Sequence, residues 1–339
     1  MKILGIESSC DDTSVALLDC SKSGCFIVSE KTASQIDIHK KYGGVVPEVA
    51  GRLHAEKITP LIEEILKNKS KPDAIAVTSG PGLITGLIVG VEAARTLSYA
   101  LKIPTIDVNH IEGHIHSVEI KNQKSKIKNT IKYPALALIA SGGHTELILI
   151  KKQGHYKILG ATKDDAAGEC FDKIAQLLGL PYPGGPQISK LALDGDAKAI
   201  KFPRPMLDQN NYDFSFAGLK TSALYYFQKN PKVNTNNFCA SVEQAIVDVL
   251  IGKTIKAATQ YNPKTIILAG GVAANKKLRT ILNEQIKIKI PHSNFLIPDG
   301  KYCMDNAAMI AVAGYYKAAK KKYTDWRQIK ADPNWELGS

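Results

Sequence analysis

Arginine is scarce in this chain: five arginines stand against 39 lysines. The formal net charge of +12 therefore argues only modestly for a polyanionic partner, because such a skew often reflects genome composition rather than a designed surface. Cysteine occurs six times, at positions 10, 20, 25, 170, 239 and 303. These form no C-x-x-C pair and no dense framework, which excludes a small disulfide scaffold and fits free thiols in a reducing cytoplasm. No run of 18 apolar residues occurs, so no membrane span is expected. The opening MKILGIESSC reads as a strand rather than a charged-then-apolar leader. No Ser-His-Asp or Cys-His set stands out, and no covalent enzyme intermediate is expected.

What is present suits two domains, since 339 residues exceed one ordinary core. KILGIESSCDDTSVALLD (2–19) reads as strand, polar turn, strand, and YPALALIASGGHTELILIKK (133–152) repeats that plan. DAIAVTSGPGLITGLIVGVEAARTLSYAL (73–101) reads as strand, Gly-Pro-Gly, helix, and KTIILAGGVAANKKLRTILNEQ (264–285) as strand, Gly-Gly, helix. The alternation predicts a duplicated α/β architecture of two lobes with an active-site cleft between them, the plan of the actin, sugar kinase and Hsp70 superfamily. Glycine turns of this kind let backbone N–H groups approach an anion closely. The expected lobes are 1–120 and 131–339, the second with an insertion at about 160–240 and a C-terminal helix packing back on the first. The lysine-rich KNQKSKIKNTIK (121–132) reads as a solvated linker, and KAAKKKYTDWRQIK (317–330) as a second basic segment. Both are candidates for phosphate contacts.

VNHIEGHIHS (108–117) holds His110, His114 and His116. Four residues separate the first two, so a helix puts both imidazoles on one face, where their nitrogens can converge on one ion. His116 falls off that face. Glu112 lies about 200° round the helix from His110, so the geometry is wrong for a zinc protease, which needs its Glu directly after the first His. Two histidines alone are not a site, and on spacing alone they are as readily ordinary surface or core residues.

The stretches GIESSCDDTSVAL, HKKYGGVVPEVAGRLH, SGPGL, VNHIEGH, ASGGHTEL, GECFDKIAQLLGLPYPGGP, FSFAGLKT, LAGGVAAN and DNAAMIA, in this order over nearly the whole chain, resemble the bacterial TsaD family, once called O-sialoglycoprotein endopeptidases. The resemblance implies transfer of a threonylcarbamoyl group from threonylcarbamoyl-adenylate to N6 of adenosine 37 of tRNA, with release of AMP. It implies one divalent metal ion, Fe2+ or Zn2+, on His110, His114 and Asp305. It places substrate binding at Ile139, Ala140, Ser141, Gly142, Gly143, Asp172, Gly185 and Asn275, and importance at Asp11. His144 is a candidate general base or supporting group. The implied partners are tRNA, a smaller TsaB-like paralogue and a small TsaE-like ATPase, in the cytoplasm. One departure is visible: bacterial relatives often carry Asp where this chain has Ser189, which offers no carboxylate.

Three other readings compete. A metalloprotease conflicts with the placement of Glu112. A sugar kinase of the same fold should show a catalytic Asp in a substrate cleft rather than a His pair. A non-catalytic binding subunit should lack the metal ligands that this chain keeps.

Overall fold

A computed structural model describes residues 1–121 and 129–338. The chain divides into two compact units, residues 1–130 with 298–337, and residues 131–297 with Gly338.

The first unit opens with three antiparallel strands, β1 (Lys2–Glu7), β2 (Asp12–Ser21) and β3 (Gly24–Ser34). A short helix α1 (Ile36–His39) and the long α2 (Pro47–Leu66) lead into β4 (Ala74–Gly80), α3 (Ile84–Leu101) and β5 (Thr105–Asn109). The short α4 (His110–His116) and β6 (Ile120–Lys121) follow. The sheet order is β5-β4-β1-β2-β3-β6, with β4 and β5 parallel to β1. All seven residues of β4 are buried, as expected of a strand covered on both faces.

The second unit repeats the plan. β7 (Ala135–Ala140), β8 (Thr145–Lys152) and β9 (His155–Ala161) form the antiparallel trio. Four helices follow: α5 (Ala167–Leu177), α6 (Gly184–Ala192), α7 (Ala217–Lys229) and α8 (Thr235–Tyr261). Then come β10 (Thr265–Ala269), α9 (Lys276–Lys289) and β11 (Asn294–Leu296), giving the order β11-β10-β7-β8-β9. Each sheet thus has a three-strand meander with two parallel strands beside its first strand, the first sheet adding the short β6 at its other edge, and the duplicated architecture is evident in the topology itself. Between β9 and β10 stand four helices, where the first unit has the short α1 and the long α2 between β3 and β4.

The last helix, α10 (Ala307–Ala318), belongs to the first unit. Strand alternation explains why. Ile3, Ala16, Leu18, Ala74 and Ala76 pack with Ala307, Ala308, Ile310, Ala311 and Val312 on one face of the sheet. Leu4, Ile6, Val15, Leu17, Ile75 and Val77 pack on the other with Ile58, Ile62, Val91 and Ala94 of α2 and α3. Gly5 permits the close approach of α10: a Cβ there would stand 2.1 Å from the Ala307 carbonyl oxygen. The expectation of a second lobe running from 131 to 339 is therefore corrected at its end. Residues 298–337 complete the first unit's core, because a sheet apolar on both faces needs a helix on each.

Two further expectations change, for the cysteines and for the start of the linker. Cys20 and Cys25 are disulfide-bonded, against the expectation of free thiols throughout. The β2–β3 hairpin register sets them directly opposite, a proximity that no sequence motif announces. Among the described cysteines, Cys10, Cys170, Cys239 and Cys303 are free. Helix α3 is long and apolar enough, by length and composition only, to cross a membrane. It carries the Glu92–Arg95 ion pair and buries Leu87, Val91 and Ala94 against its own unit, as a sheet-packed helix does. Residues 122–128 of the expected linker, with Lys124, Lys126 and Lys128, lie outside the described residues, while Lys121 is buried in β6.

Candidate active site

Strand β5 ends at Asn109, whose Oδ1 accepts from the backbone N–H groups of Ile111 and Glu112. This N-cap starts α4 immediately after the strand. One turn then separates His110 from His114, whose rings meet edge-on with centroids 4.6 Å apart. Gly113 faces α10, where a Cβ would come within 2.7 Å of Ile310. Asn306 caps α10 through Met309 N–H and so fixes the preceding Asp305. Asp305 Oδ1 stands 3.5 Å from His110 Nε2 and 3.2 Å from His114 Nε2. The three side chains form a possible metal-binding group whose ligand atoms all lie within 4.8 Å of one another.

The residues fit a metal. Two ligand atoms about 2.1 Å from one tetrahedral ion lie about 3.4 Å apart, close to both His–Asp distances. Both ring nitrogens of His114 are buried and make no hydrogen bond among the described residues, an arrangement that native proteins rarely leave unexplained. Glu112 takes no part: it pairs with Lys317 Nζ at 3.5 Å. His116 binds Glu119 at 2.8 Å.

Glu7 is not among the residues expected at the site from the sequence, yet it is fully buried beside His110. Its Oε2 lies 3.1 Å from His110 Nδ1 and accepts from Thr78 Oγ1 at 2.6 Å, while its Oε1 accepts from Ser9 N–H at 2.6 Å. Burial acts to lower the His110 pKa, but Asp305 and Glu7 together outweigh it and raise it to about 9. Burial acts to raise Glu7, and His110 overcomes it, leaving the carboxyl below its usual value. A carboxylate on Nδ1 fixes the tautomer and leaves Nε2 facing Asp305, the pattern of a supported metal ligand.

The β1–β2 turn adds two acids. Burial, then the charge of Asp305, raises Asp11. Burial pushes Asp12 up to about 7 against a hydrogen bond from Ser34, with Asp11 and Asp305 adding to the rise. His54 braces this turn, with Nε2 2.9 Å from the Cys10 carbonyl oxygen and Nδ1 2.8 Å from Thr13 Oγ1. Burial lowers its pKa, so it is neutral, donating from Nε2 and accepting on Nδ1.

In the second unit, Ile139 and Ala140 end β7, and Ser141, Gly142, Gly143 and His144 form the turn to β8. Ser141 N–H donates to the His144 carbonyl, and His144 N–H to Ser141 Oγ. A side chain added at Gly142 or Gly143 would meet nothing within 4 Å, so the turn's backbone is open to a ligand. Gly168 N–H donates to the Ser141 carbonyl, tying the start of α5 to this turn. Asp172, on α5, accepts from Gly184 N–H at 2.6 Å and so sets the start of α6, where Gly185 lies. The fourth residue after Gly185 is Ser189, whose Oγ accepts from Asn275 Nδ2 at 3.0 Å. Gly270, at φ +89° against the Ala140 carbonyl, turns the chain out of β10 towards Asn275. The structure thus groups His110, His114, Asp305 and the unforeseen Glu7 in one unit. In the other it links 139–143 to α5, Asp172 to α6, and Asn275 to Ser189. The sign that could have pointed to Glu7 is a charged residue ending the apolar run Ile3–Ile6.

A family model described as TsaD: tRNA N6-adenosine threonylcarbamoyltransferase matches residues 26–312. A tRNA N6-adenosine threonylcarbamoyltransferase of Listeria innocua is 46% identical over 98% of this chain and 95% of its own length. A protein of the same description from Geobacillus thermodenitrificans is 46% identical over 99% and 96%. Among solved structures, T. kodakarensis HypF aligns with a TM-score of 0.60 at 15% identity, over 94% of this chain and 48% of HypF. Full-length HypF in the phosphate- and nucleotide-bound form aligns with a TM-score of 0.61 at 12% identity, over 94% and 55%. This chain spans about half of either HypF chain, and at such identities the likeness is one of fold.

Proposed function

Because this chain belongs to the TsaD family of tRNA N6-adenosine threonylcarbamoyltransferases, we propose that its donor is threonylcarbamoyl-adenylate and its acceptor adenosine 37 of tRNAs reading ANN codons. The transfer itself, delivery of a threonylcarbamoyl group to N6 of a tRNA adenosine, is the activity of the family and of this enzyme. In the proposed step the N6 lone pair forms a bond to the carbamoyl carbon. The carbon–oxygen bond to phosphate breaks, AMP leaves with that electron pair, and N6 gives up a proton. AMP is already a good leaving group, so the enzyme chiefly positions the reactants and stabilises charge.

His110, His114 and Asp305 are proposed to hold one divalent ion, Fe2+ or Zn2+, since N/O donors suit both. When bound, that ion supplies Lewis-acid polarisation of a substrate oxygen. The observation that carries this reading is the buried His114, hydrogen-bonded through neither nitrogen and 3.2 Å from a carboxylate oxygen. The open backbone at Ser141–Gly143 suits the nucleotide phosphate, continuing from Ile139 and Ala140. Asp172, Gly185 and Asn275 are proposed around the nucleoside. Asp11, with its raised pKa, and His144 are the two candidates for handling the N6 proton. The engagement of Glu112 by Lys317 supports transfer over proteolysis, because no carboxylate follows the first metal-facing histidine. A TsaB-like paralogue, a TsaE-like ATPase and a cytoplasmic location complete the proposal.

The test is an assay of the purified protein with synthetic threonylcarbamoyl-adenylate and unmodified tRNA, with the modified nucleoside read by mass spectrometry. Product is expected, and His114→Ala should abolish it together with bound metal. No product even with the paralogue and ATPase added would overturn the proposed donor.

A further inference from the structure

Helix α8 is buried over most of its surface, apart from a partly exposed stripe at Gln244, Asp248, Gly252 and Lys256, and it carries two buried charged residues, Glu243 and Lys253. Lys253 is accounted for: its Nζ donates to the carbonyl and side-chain oxygens of Asn211 and to the Gln209 carbonyl. Glu243 keeps acceptor capacity. It is only 5% exposed; its Oε1 accepts a hydrogen bond from Asn275 Nδ2 at 2.7 Å, and its Oε2 pairs with Lys277 Nζ at 3.8 Å, longer than a hydrogen bond. A carboxylate has about four acceptor sites, so this one has room for a further donor.

Its surroundings indicate which donor. Asn275 bridges α6 and α8: Nδ2 donates to both Ser189 and Glu243, and Oδ1 caps α9 through Leu278 N–H. Both hydrogens of the amide group are spent, so Asn275 has none left for a ligand. It acts as a positioning residue that holds Glu243 and Ser189 together. We propose that Glu243 is a substrate-binding residue whose carboxylate accepts from a ribose hydroxyl of the bound adenine nucleotide, supplying the acidic group that Ser189 cannot. This inference rests on the nucleotide reading given above for Asp172 and Gly185, with Asn275 supporting Glu243 rather than touching the ligand. Vicinal hydroxyls are good donors to an anionic acceptor, and hydrogen bonds to charged groups are the stronger class.

The test is calorimetric titration of the full-length protein with AMP and with 2′,3′-dideoxy-AMP. The wild type should bind AMP about 10–100-fold more tightly, the range for a hydrogen bond to a charged acceptor. Glu243→Gln should lose most of that preference, and Glu243→Asp should keep part of it. Equal affinities in the wild type would overturn the proposal without any variant. So would an undiminished preference in a folded Glu243→Gln protein. If the wild type binds neither nucleotide, the nucleotide reading itself fails, and this inference with it.

Discussion

The cost of burying acids beside the histidine pair is local and measurable residue by residue. Glu7 offers its carboxylate to His110 Nδ1 from a fully buried position. Glu7→Gln keeps the shape but removes the charge and makes the ring's tautomer ambiguous. Zn2+ or Co2+ affinity, measured by competition with a chelator, should fall about 10–100-fold; unchanged affinity would mean that Glu7 is merely structural. Asp12 makes a different prediction. Its pKa rises from 3.8 to about 7 on folding, so between those values the folded state holds more protons than the unfolded state. Stability contributed by this group therefore falls as pH rises from about 4 to 7. Asp12→Asn should stabilise the protein by about 1–4 kcal/mol at pH 8, since a tenfold change in proton affinity corresponds to about 1.4 kcal/mol. The gain should vanish near pH 4. Urea midpoints at the two pH values read it directly, and a gain equal at both would refute the raised pKa of Asp12.

At the scale of elements, α10 is the part that brings chemistry to the first unit. It packs on β1 and β2 and presents Asp305 to α4, and its start is fixed by Ala307 N–H donating to Ser14 Oγ at 3.0 Å. Two glycines set how closely it docks, and they differ in what a methyl group would strike. At Gly5 the obstacle is the backbone oxygen of Ala307, at 2.1 Å; at Gly113 it is the flexible end of Ile310, at 2.7 Å. Backbone cannot yield as a side-chain tip can. Gly5→Ala should therefore cost about 1–3 kcal/mol, the range for overpacking, and loosen metal binding. Gly113→Ala should cost clearly less. Denaturant unfolding that ranks them in the opposite order would show that α10 docks less rigidly than these distances imply.

For the whole molecule the open matter is where tRNA phosphates lie on a lysine-rich surface. Lys317 is not free for them: it donates to the Asp107 carbonyl at 2.8 Å, pairs with Glu112 and sits over Trp335. Lys320, Lys321 and Lys322 are exposed. Each phosphate neutralised contributes about −0.7 to −0.9 to the slope of log affinity against log salt. Replacing these three by Gln should flatten the slope by about 2–3 if all touch phosphate. Lys317→Gln should instead lower thermal stability with little change in slope. A slope unmoved by the triple replacement would exclude the tail from the tRNA footprint.

Local pattern made the two repeated strand–glycine plans legible, because alternation and glycine turns are written over a few residues. It also placed His110 and His114 on one face of a helix. Asp305 was reachable only through family resemblance, since no local period connects residues so distant along the chain. Glu7, 103 residues from His110, and Glu243, 32 residues from Asn275, emerged only from folding. Each is one acid among the 32 acidic residues of the chain, and its burial depends on which elements cover it. The Cys20–Cys25 bond required the hairpin register, and the return of 298–337 to the first unit required a sheet with two apolar faces. The sequence by itself determined the elements and the chemical kind of the histidine site. The tertiary structure decided which distant carboxylates support that site, because burial and long-range contact are properties of packing rather than of period.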